Sequence, residues 1–459
     1  MANSSINSPQ SYYSPRASLV ALGLKLQKLK LFRPIEKHVK IKQKVLKYPP
    51  TTKLYQLFVA ILAGMESLVE LNKVLRADPA LQQAFGLEGC AEQSTIQATL
   101  DKCDQTNLDQ LEQAWSEIYR QFGQAPQHNF QEQLLVLDSD FTANPCGYQA
   151  EQASKGYFGK LHHHFGRQIG RLIATQYEEI VVERLYGGNV QLNVSFQALV
   201  LAAEKRLGLD QAKRERTVLR ADSGAGSVEN INWALGRGYH YHGKSYGGGR
   251  ANAGLIESVK EWVKDPKQSG REVGWVGEEG ANPYLRPLKR VAVRCRKQNG
   301  QWATGLIVSS LSEEQVLGLT KPGQMAQGVS PTEQVLLGYV YYYDQRGGGI
   351  ETEIKEDRQG LGLGHRNKRH FEGQAVLQQL LALAHNVLVW ARSWLSEKVP
   401  EVAHYGLKRL VRDVFGISGL VKIDKQATIH KYKIELNQFD PLTKKLLPGL
   451  VSLLPQPAT

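Results

Sequence analysis

Apolar positions recur at helical spacing through residues 53–122. Leu57, Ala60, Ile61 and Gly64 share one stripe, and Leu68, Leu71 and Leu75 share another. Ser94 and Thr95 read as an N-cap ahead of residues 96–100, and Asn107 opens a further helix through Leu111, Trp115 and Ile118. After a polar linker at 124–129 the period changes. Residues 133–141 are short and rich in Leu and Val, which reads as a strand, and 168–177 and 179–185 read as two more. Residues 195–207 return to helical spacing, 217–222 form another strand, 227–236 a helix and 239–242 a short fifth strand. Three strands, a helix, a strand, a helix and a strand predict a mixed α/β domain.

The remaining pattern is less regular. Residues 252–263 read as a helix with Trp262 on its apolar face. Residues 274–311, rich in Val, Trp and Tyr, read as antiparallel strands with turns at Gly280-Ala281-Asn282-Pro283 and Asn299-Gly300. Residues 334–343 read as a core strand, 350–358 as a helix and 372–394 as a long apolar helix. His385 and Asn386 interrupt the apolar run 380–391, so it predicts a buried helix and not a membrane span. Residues 3–15 are polar and read as disordered. The stretch after Asp440 holds Pro441, Pro448, Pro455 and Pro457 and reads as loose.

Charge narrows the partners. The 459 residues carry a net charge of +13. Each Lys or Arg near a phosphate releases a condensed counterion, so this excess favours nucleic acid or an anionic membrane surface. Residues 1–34 contain no acidic residue, as in an organellar transit peptide. The basic stretch continues past Glu36 through Lys37, Lys40, Lys42, Lys44 and Lys47, which favours a tail leading into a basic arm at 25–47. Four cysteines lie far apart with no Cys-x-x-Cys pair, so neither a zinc knuckle nor a redox motif is expected, and reduced thiols fit a cytosolic protein.

Carboxylates at strand ends are the main chemical signal. Leu-Leu-Val-Leu-Asp138-Ser-Asp140-Phe-Thr142 places Asp138 and Asp140 on one strand face. Two such groups repel unless a cation or hydrogen bonds offset them, and hard divalent ions take oxygen ligands of this kind. Val218-Leu219-Arg220-Ala221-Asp222-Ser223-Gly224 is a second apolar strand ending in a carboxylate. Taken singly, each reads as a turn or cap as readily as a ligand. The third feature, Tyr343-Asp-Gln-Arg346-Gly-Gly-Gly-Ile-Glu351, leads into Thr-Glu353-Ile-Lys355-Glu356-Asp357-Arg358. On a helix Glu351, Lys355 and Arg358 share a face, one carboxylate with two cations suited to phosphates.

This last segment resembles the Y-x2-R-x3-E-x6-K signature of bacterial insertion-sequence DDE transposases. Tyr343, Arg346, Glu351 and Arg358 stand in the signature places. Four residues separate Arg346 from Glu351 where the signature has three, so the triple glycine absorbs an inserted residue and Glu353 is a rival to Glu351. Asp140-Phe-Thr142 and Arg220-Ala-Asp222-Ser-Gly match the family's first and second aspartates, with Asp138 a neighbour or rival of Asp140. The resemblance implies Asp140, Asp222 and Glu351 as catalytic metal ligands, and two Mg2+ or Mn2+ ions for phosphodiester cleavage and strand transfer. It implies terminal inverted repeats and target DNA as partners, a homodimer in the synaptic complex, and residence in the bacterial nucleoid.

The fold class expected is α/β, an RNase H-like mixed-sheet core at 130–395 interrupted by an antiparallel β insertion at about 268–330. A helical DNA-binding domain at 51–125 precedes it, behind a tail and basic arm at 1–50, and residues 396–459 are a dimerisation region or loose tail. Candidate DNA-binding side chains are Tyr343, Arg346, Lys355, Arg358, Lys244 and Trp302. The resemblance implies an aromatic residue of the insertion that stacks a flipped base; Trp302, after the Asn299-Gly300 turn, is the candidate, with Trp275 the runner-up, and packing within the insertion's own core is the other reading of Trp302. Two other readings remain open: an RNase H-like nuclease without strand joining, and a domesticated protein that only binds DNA.

Other motifs carry less. His162, His163 and His164 are adjacent and His240 and His242 alternate, but no further ligand completes a zinc site. Glu229 stands where a dinucleotide fingerprint begun by Gly224-Ala-Gly226 needs its third glycine. No Gly-Lys-Ser or Gly-Lys-Thr follows Gly247-Gly-Gly249.

Overall fold

A computed structural model of the chain describes residues 10–45, 47–156, 164–246, 252–277, 283–424 and 431–455. Residues 1–9, His162, His163, the glycine run 247–249, turn residues 280–282 and Pro457 lie outside the described residues. The chain forms two compact units. The first comprises Met1–Gly123, Pro145–Ala153 and Ile354–Thr459, and the second Gln124–Asn144 and Ser154–Glu353.

The first unit begins with strand β1 (Gln10–Ser14) and the helix Ala17–Lys28, which buries Leu19, Val20, Leu22, Leu24 and Leu26. Two expectations are corrected here: residues 10–15 are ordered, and 25–47 is no free basic arm. Apolar and basic residues interleave along this stretch. Leu31, Phe32, Ile35, Val39 and Ile41 are buried, while Lys30, Lys37, Lys40 and Lys42 stay exposed. A charge count sees only the lysines, whereas folding is driven by the apolar positions between them. The helical segment follows as Pro50–Leu62, Leu68–Lys73, Pro79–Ala84, Gln93–Leu100 and Gln105–Phe122. Ser94 and Thr95 lie inside Gln93–Leu100, where Glu92 occupies the N-cap position without a side-chain capping bond. Asn107 completes a capping box with Asp104 at the start of Gln105–Phe122.

The second unit is built on a mixed sheet. Its strands are β2 (Leu135–Pro145), β3 (Ser154–Lys155), β4 (Phe165–Ala174), β5 (Glu179–Gly187), β6 (Thr217–Ala221) and β7 (His240–Lys244). They continue as β8 (Val263–Lys264), β9 (Arg271–Trp275), β10 (Lys289–Arg296) and β11 (Trp302–Ser309). The order is β3-β4-β2-β6-β7-β11-β10-β9-β8, with β5 also paired to β4. β6 lies parallel between β2 and β7, and β4 and β5 form an antiparallel pair. This is a mixed α/β sheet of the kind expected from the order of strands and helices. The antiparallel strands β8 to β11 extend that sheet directly, because β11 pairs with β7 at Ile307↔Lys244 through Ser309↔His242.

Two readings change within this unit. Residues 334–343 belong to the helix Pro331–Asp344 and not to a core strand. Ser330 and Glu333 form a capping box and Pro331 occupies the first turn, both helix-start signals. Leu336, Leu337, Tyr339 and Val340 are buried in one cluster with Val273, Val291 and Ile307 of the sheet. A short continuous apolar run fits a buried helix as well as a buried strand, and period alone does not separate them. Residues 252–263 carry only a short helix, Ala253–Glu257, before β8 begins.

The chain then returns to the first unit. The 26-residue helix Phe371–Ser396 is mostly buried. His385, in its middle, is fully buried with Nδ1 2.8 Å from Oδ1 of Asp357, itself fully buried. The polar break in the apolar run is thus satisfied inside protein. No helix among the described residues is long and apolar enough to cross a membrane. β12 (Gly419–Asp424) pairs antiparallel with β1 and with β13 (Lys431–Leu436). The stretch read as a loose tail instead forms the helix Thr443–Leu453, with Leu446, Leu450 and Leu453 buried and Pro448 tolerated inside it.

Asp357→Leu should leave His385 without this acceptor inside the protein. The expected cost is about 3 kcal/mol of unfolding free energy, since it strands a buried polar or charged group. Urea denaturation of the variant measures it, and a change below about 0.5 kcal/mol, within ordinary surface-substitution scatter, would refute the assignment.

Candidate active site

The acidic residues converge through strand register. β2 and β6 run parallel with Asp138 opposite Arg220 and Ser139 opposite Ala221. Asp140 and Asp222 come immediately after that last pair, on neighbouring strands about 4.8 Å apart. Asp222 caps the short turn Ser223–Ala225, accepting a hydrogen bond from the Gly224 amide at 2.8 Å.

Arg346 joins the third acid to the first. Its Nη2 lies 3.0 Å from Asp140 Oδ1 and donates to the Ser139 carbonyl at 2.9 Å, while Nη1 lies 3.0 Å from Glu351 Oε1. The guanidinium is almost fully buried, whereas the Glu351 side chain is 57% exposed. Burial pushes the Asp140 carboxyl up to about 6; the charges of Asp222 and Glu351 push the same way, and Arg346 opposes them. Burial alone would lower the Arg346 pKa, but Asp140 and then Asp222 outweigh it, so the net direction is upward. The same acids surround Tyr343, whose hydroxyl is raised to about 12, chiefly by burial. Lys244 Nζ lies 4.8 Å from the centre of the Tyr343 ring.

The extra residue between Arg346 and Glu351 has a structural form. Gly347–Glu351 make a widened π turn in which Gly349 leaves helical geometry, with φ −101° and ψ −110°. One inserted residue in a helix is commonly taken up this way. A Cβ on Gly349 would lie 3.2 Å from both Asp138 Oδ2 and Thr175 Cγ2, so glycine permits the close approach.

A family model described as "Transposase DDE domain group 1" matches residues 14–431. This chain belongs to the DDE transposase family. No curated protein matches it. Among solved structures it is similar to a piggyBac transposase synaptic complex with hairpin DNA, seen by cryo-EM. Identity is 11%, the match covers 98% of this chain and 88% of that one, and the TM-score is 0.48.

DDE transposases generally use divalent metal ions. Among the described residues, no three His, Cys, Asp or Glu side chains lie close enough to hold one ion together. Arg346 occupies the neutralising position between Asp140 and Glu351. The donor set suits a hard cation, because these are oxygen ligands, and burial first and the neighbouring acids second already raise Asp140.

The other candidate residues of this transposase fall into distinct settings. Asp138 is fully buried and accepts from Arg220 Nε at 2.6 Å, Arg220 Nη2 at 2.7 Å and Thr175 Oγ1 at 2.7 Å. Arg220 and Thr175 were not singled out from the sequence, although an arginine inside an apolar strand is itself a signal of a buried partner. Glu353 is buried, unlike Glu351. Lys355 is exposed and Arg358 half-buried on the helix Thr352–Gly360. Trp302 is 37% exposed, with the guanidinium of Arg294 4.6 Å from its ring centre. It stands five residues along β11 from Ile307, hence roughly 17 Å from the Lys244 rung. Trp275 is on the opposite sheet face, edge-on to Tyr339 at 5.5 Å and packed against the core cluster.

The raised Asp140 carboxyl predicts a stability effect of definite sign. Its folded value of about 6 exceeds the ordinary 3.8, so the folded state holds the proton more tightly. The stabilisation from that proton is present below about pH 4 and is lost as pH rises through about 6. Asp140→Asn should therefore raise the unfolding free energy of metal-free protein at pH 7.5 by an amount on the order of 2 kcal/mol, and with it the Tm. The gain should shrink towards pH 4. Calorimetry across this range tests it, and a lower Tm for the variant at pH 7.5 would contradict it.

Proposed function

We propose that this transposase binds the ends of an insertion sequence and carries out metal-dependent strand cleavage and strand transfer, a cut-and-paste reaction. One observation carries the reading: Asp140 and Asp222 directly follow the last in-register pair of β2 and β6, and Arg346 ties Glu351 to Asp140. Two Mg2+ or Mn2+ ions bound by these acids would supply Lewis acidity and an activated water or 3′ hydroxyl for attack on phosphorus. The protein's own groups do the rest. Asp140, Asp222 and Glu351 offer the oxygen ligands, and Arg346 yields its contacts to Asp140 and Glu351 as the site loads. Tyr343, beside the acids, and Lys244, over the Tyr343 ring, orient the phosphate. Lys355 and Arg358 carry further phosphate contacts. The net charge of +13 supports DNA as the partner, with terminal inverted repeats and target DNA held by a homodimer in the nucleoid.

Asp140→Ala, Asp222→Ala and Glu351→Ala should each reduce Mg2+-dependent cleavage of end DNA by orders of magnitude, with DNA binding nearly unchanged. Gel assays of nicking and of mobility shift read the two separately. If Glu353→Ala abolishes cleavage and Glu351→Ala does not, the π-turn register of the site is wrong.

Trp302 supplies a stacking surface for a base displaced during strand transfer. Its exposure makes the test clean, because Trp302→Ala should cost little stability. The first nick should proceed normally and hairpin formation should slow roughly tenfold or more, as expected from stacking worth about 1–3 kcal/mol. An abasic site beside the cut should partly restore the rate. Normal hairpin kinetics in a stable Trp302→Ala protein would remove this role.

A further inference from the structure

We infer that the buried Asp138–Arg220 pair is a positioning device that holds in register the three chain segments carrying Asp140, Asp222 and Glu351. This rests on reading those three acids as the catalytic set. Asp138 lies two residues before Asp140 on β2, and Arg220 two residues before Asp222 on β6. The two are direct cross-strand partners, and the guanidinium grips the carboxylate with a two-pronged bond, Nε to Oδ1 and Nη2 to Oδ2. The third prong leaves the sheet. Nη1 donates to the Tyr342 carbonyl at 2.7 Å, in the last turn of the helix Pro331–Asp344. Carbonyls there lack intrahelical donors, so Arg220 fixes the helix end from which Tyr343, Arg346 and Glu351 follow.

Asp138 also bears on the turn itself. Its Oδ2 accepts from Thr175 Oγ1, just past the end of β4, and lies against Gly349 of the π turn. His242 of β7 closes the remaining side, opposite Arg220 in the sheet and 4.8 Å ring to ring from Tyr342. One ion pair therefore touches β2, β6, the helix end and the glycine turn, with Asp138 82 residues from Arg220 and Arg220 122 residues from Tyr342. An apolar pair of equal volume would fill the same space. It would lack the planar fork that fixes direction, and a buried ion pair is by itself a weak source of stability. Directional constraint is what this pair supplies, and Asp138 acts through its neighbours and not as a ligand.

The test uses the full chain without DNA. Asp138→Leu combined with Arg220→Met replaces the pair by apolar side chains, and Arg220→Lys keeps the charge without the fork. Hydrogen exchange read by mass spectrometry should show lost protection at residues 222–226 and 346–351 in both proteins. The β10–β11 hairpin should be unchanged and the Tm close to wild type. Mn2+ binding, followed by electron paramagnetic resonance, should weaken by roughly 10- to 100-fold. Should the double variant fail to fold, Arg220→Lys decides alone. Wild-type protection and Mn2+ affinity in Arg220→Lys would overturn the proposal, as would uniform loosening across the whole second unit. If the wild-type protein bound no Mn2+, the metal reading would fall, and the exchange pattern would still decide whether the pair positions these segments.

Discussion

Like charges crowded where the β2–β6 pairing stops are the constraint around which this site is organised. Asp140 and Asp222 are forced together by the register of two parallel strands, and Glu351 is brought to Asp140 by a shared guanidinium. Left alone, such a cluster would drive the strands apart or take up protons. Burial first, and the neighbouring acids second, push the Asp140 carboxyl up, and Arg346 only partly offsets them. Two buried arginines supply the offset by different means. Arg346 lies among the acids as a neutralising charge, and Arg220 one layer deeper as a fixed clamp on Asp138.

That arrangement has a functional logic for a DDE transposase. On the proposed reading these acids hold cations, and each bound ion would relieve a cost already present in the folded chain. The glycines between Arg346 and Glu351 serve the same end. They let the chain pass against Asp138 and widen into a π turn that brings Glu351 back to Arg346. The antiparallel strands continue the same sheet through β7, so their position relative to the acids is set by backbone hydrogen bonds and not by a flexible linker. One face of these strands is buried against the helix Pro331–Asp344, and the other presents Trp302 with Arg294 beside it.

Much of this was legible along the chain. The strands holding Asp140 and Asp222 announce themselves as short apolar runs, and the helices at Leu192–Leu207 and Phe371–Ser396 by their period, because burial of one face leaves a local signature. The one-residue offset in the Arg346–Glu351 spacing was also visible, since insertion in a helix must be absorbed nearby. Residues 334–343 were not legible as a helix from their apolar run alone. The capping signals at Ser330 and Glu333 were the local evidence that pattern reading passed over.

Local sequence by itself determined which side chains carry charge and which face of each element is apolar. Tertiary structure alone decided which charges meet. That Asp138 would be consumed by Arg220 while Asp140 stays with the acidic cluster depends on strand register 82 residues away in sequence. That the lysine-rich stretch would fold onto a core, with the Lys40 carbonyl accepting from the Asn107 side chain, depends on surfaces formed far along the chain. Hydrophobic period is a property of neighbours in sequence. The pairing of a buried ion is set by the packed surroundings that remove water from both partners, and those exist only once the fold is complete.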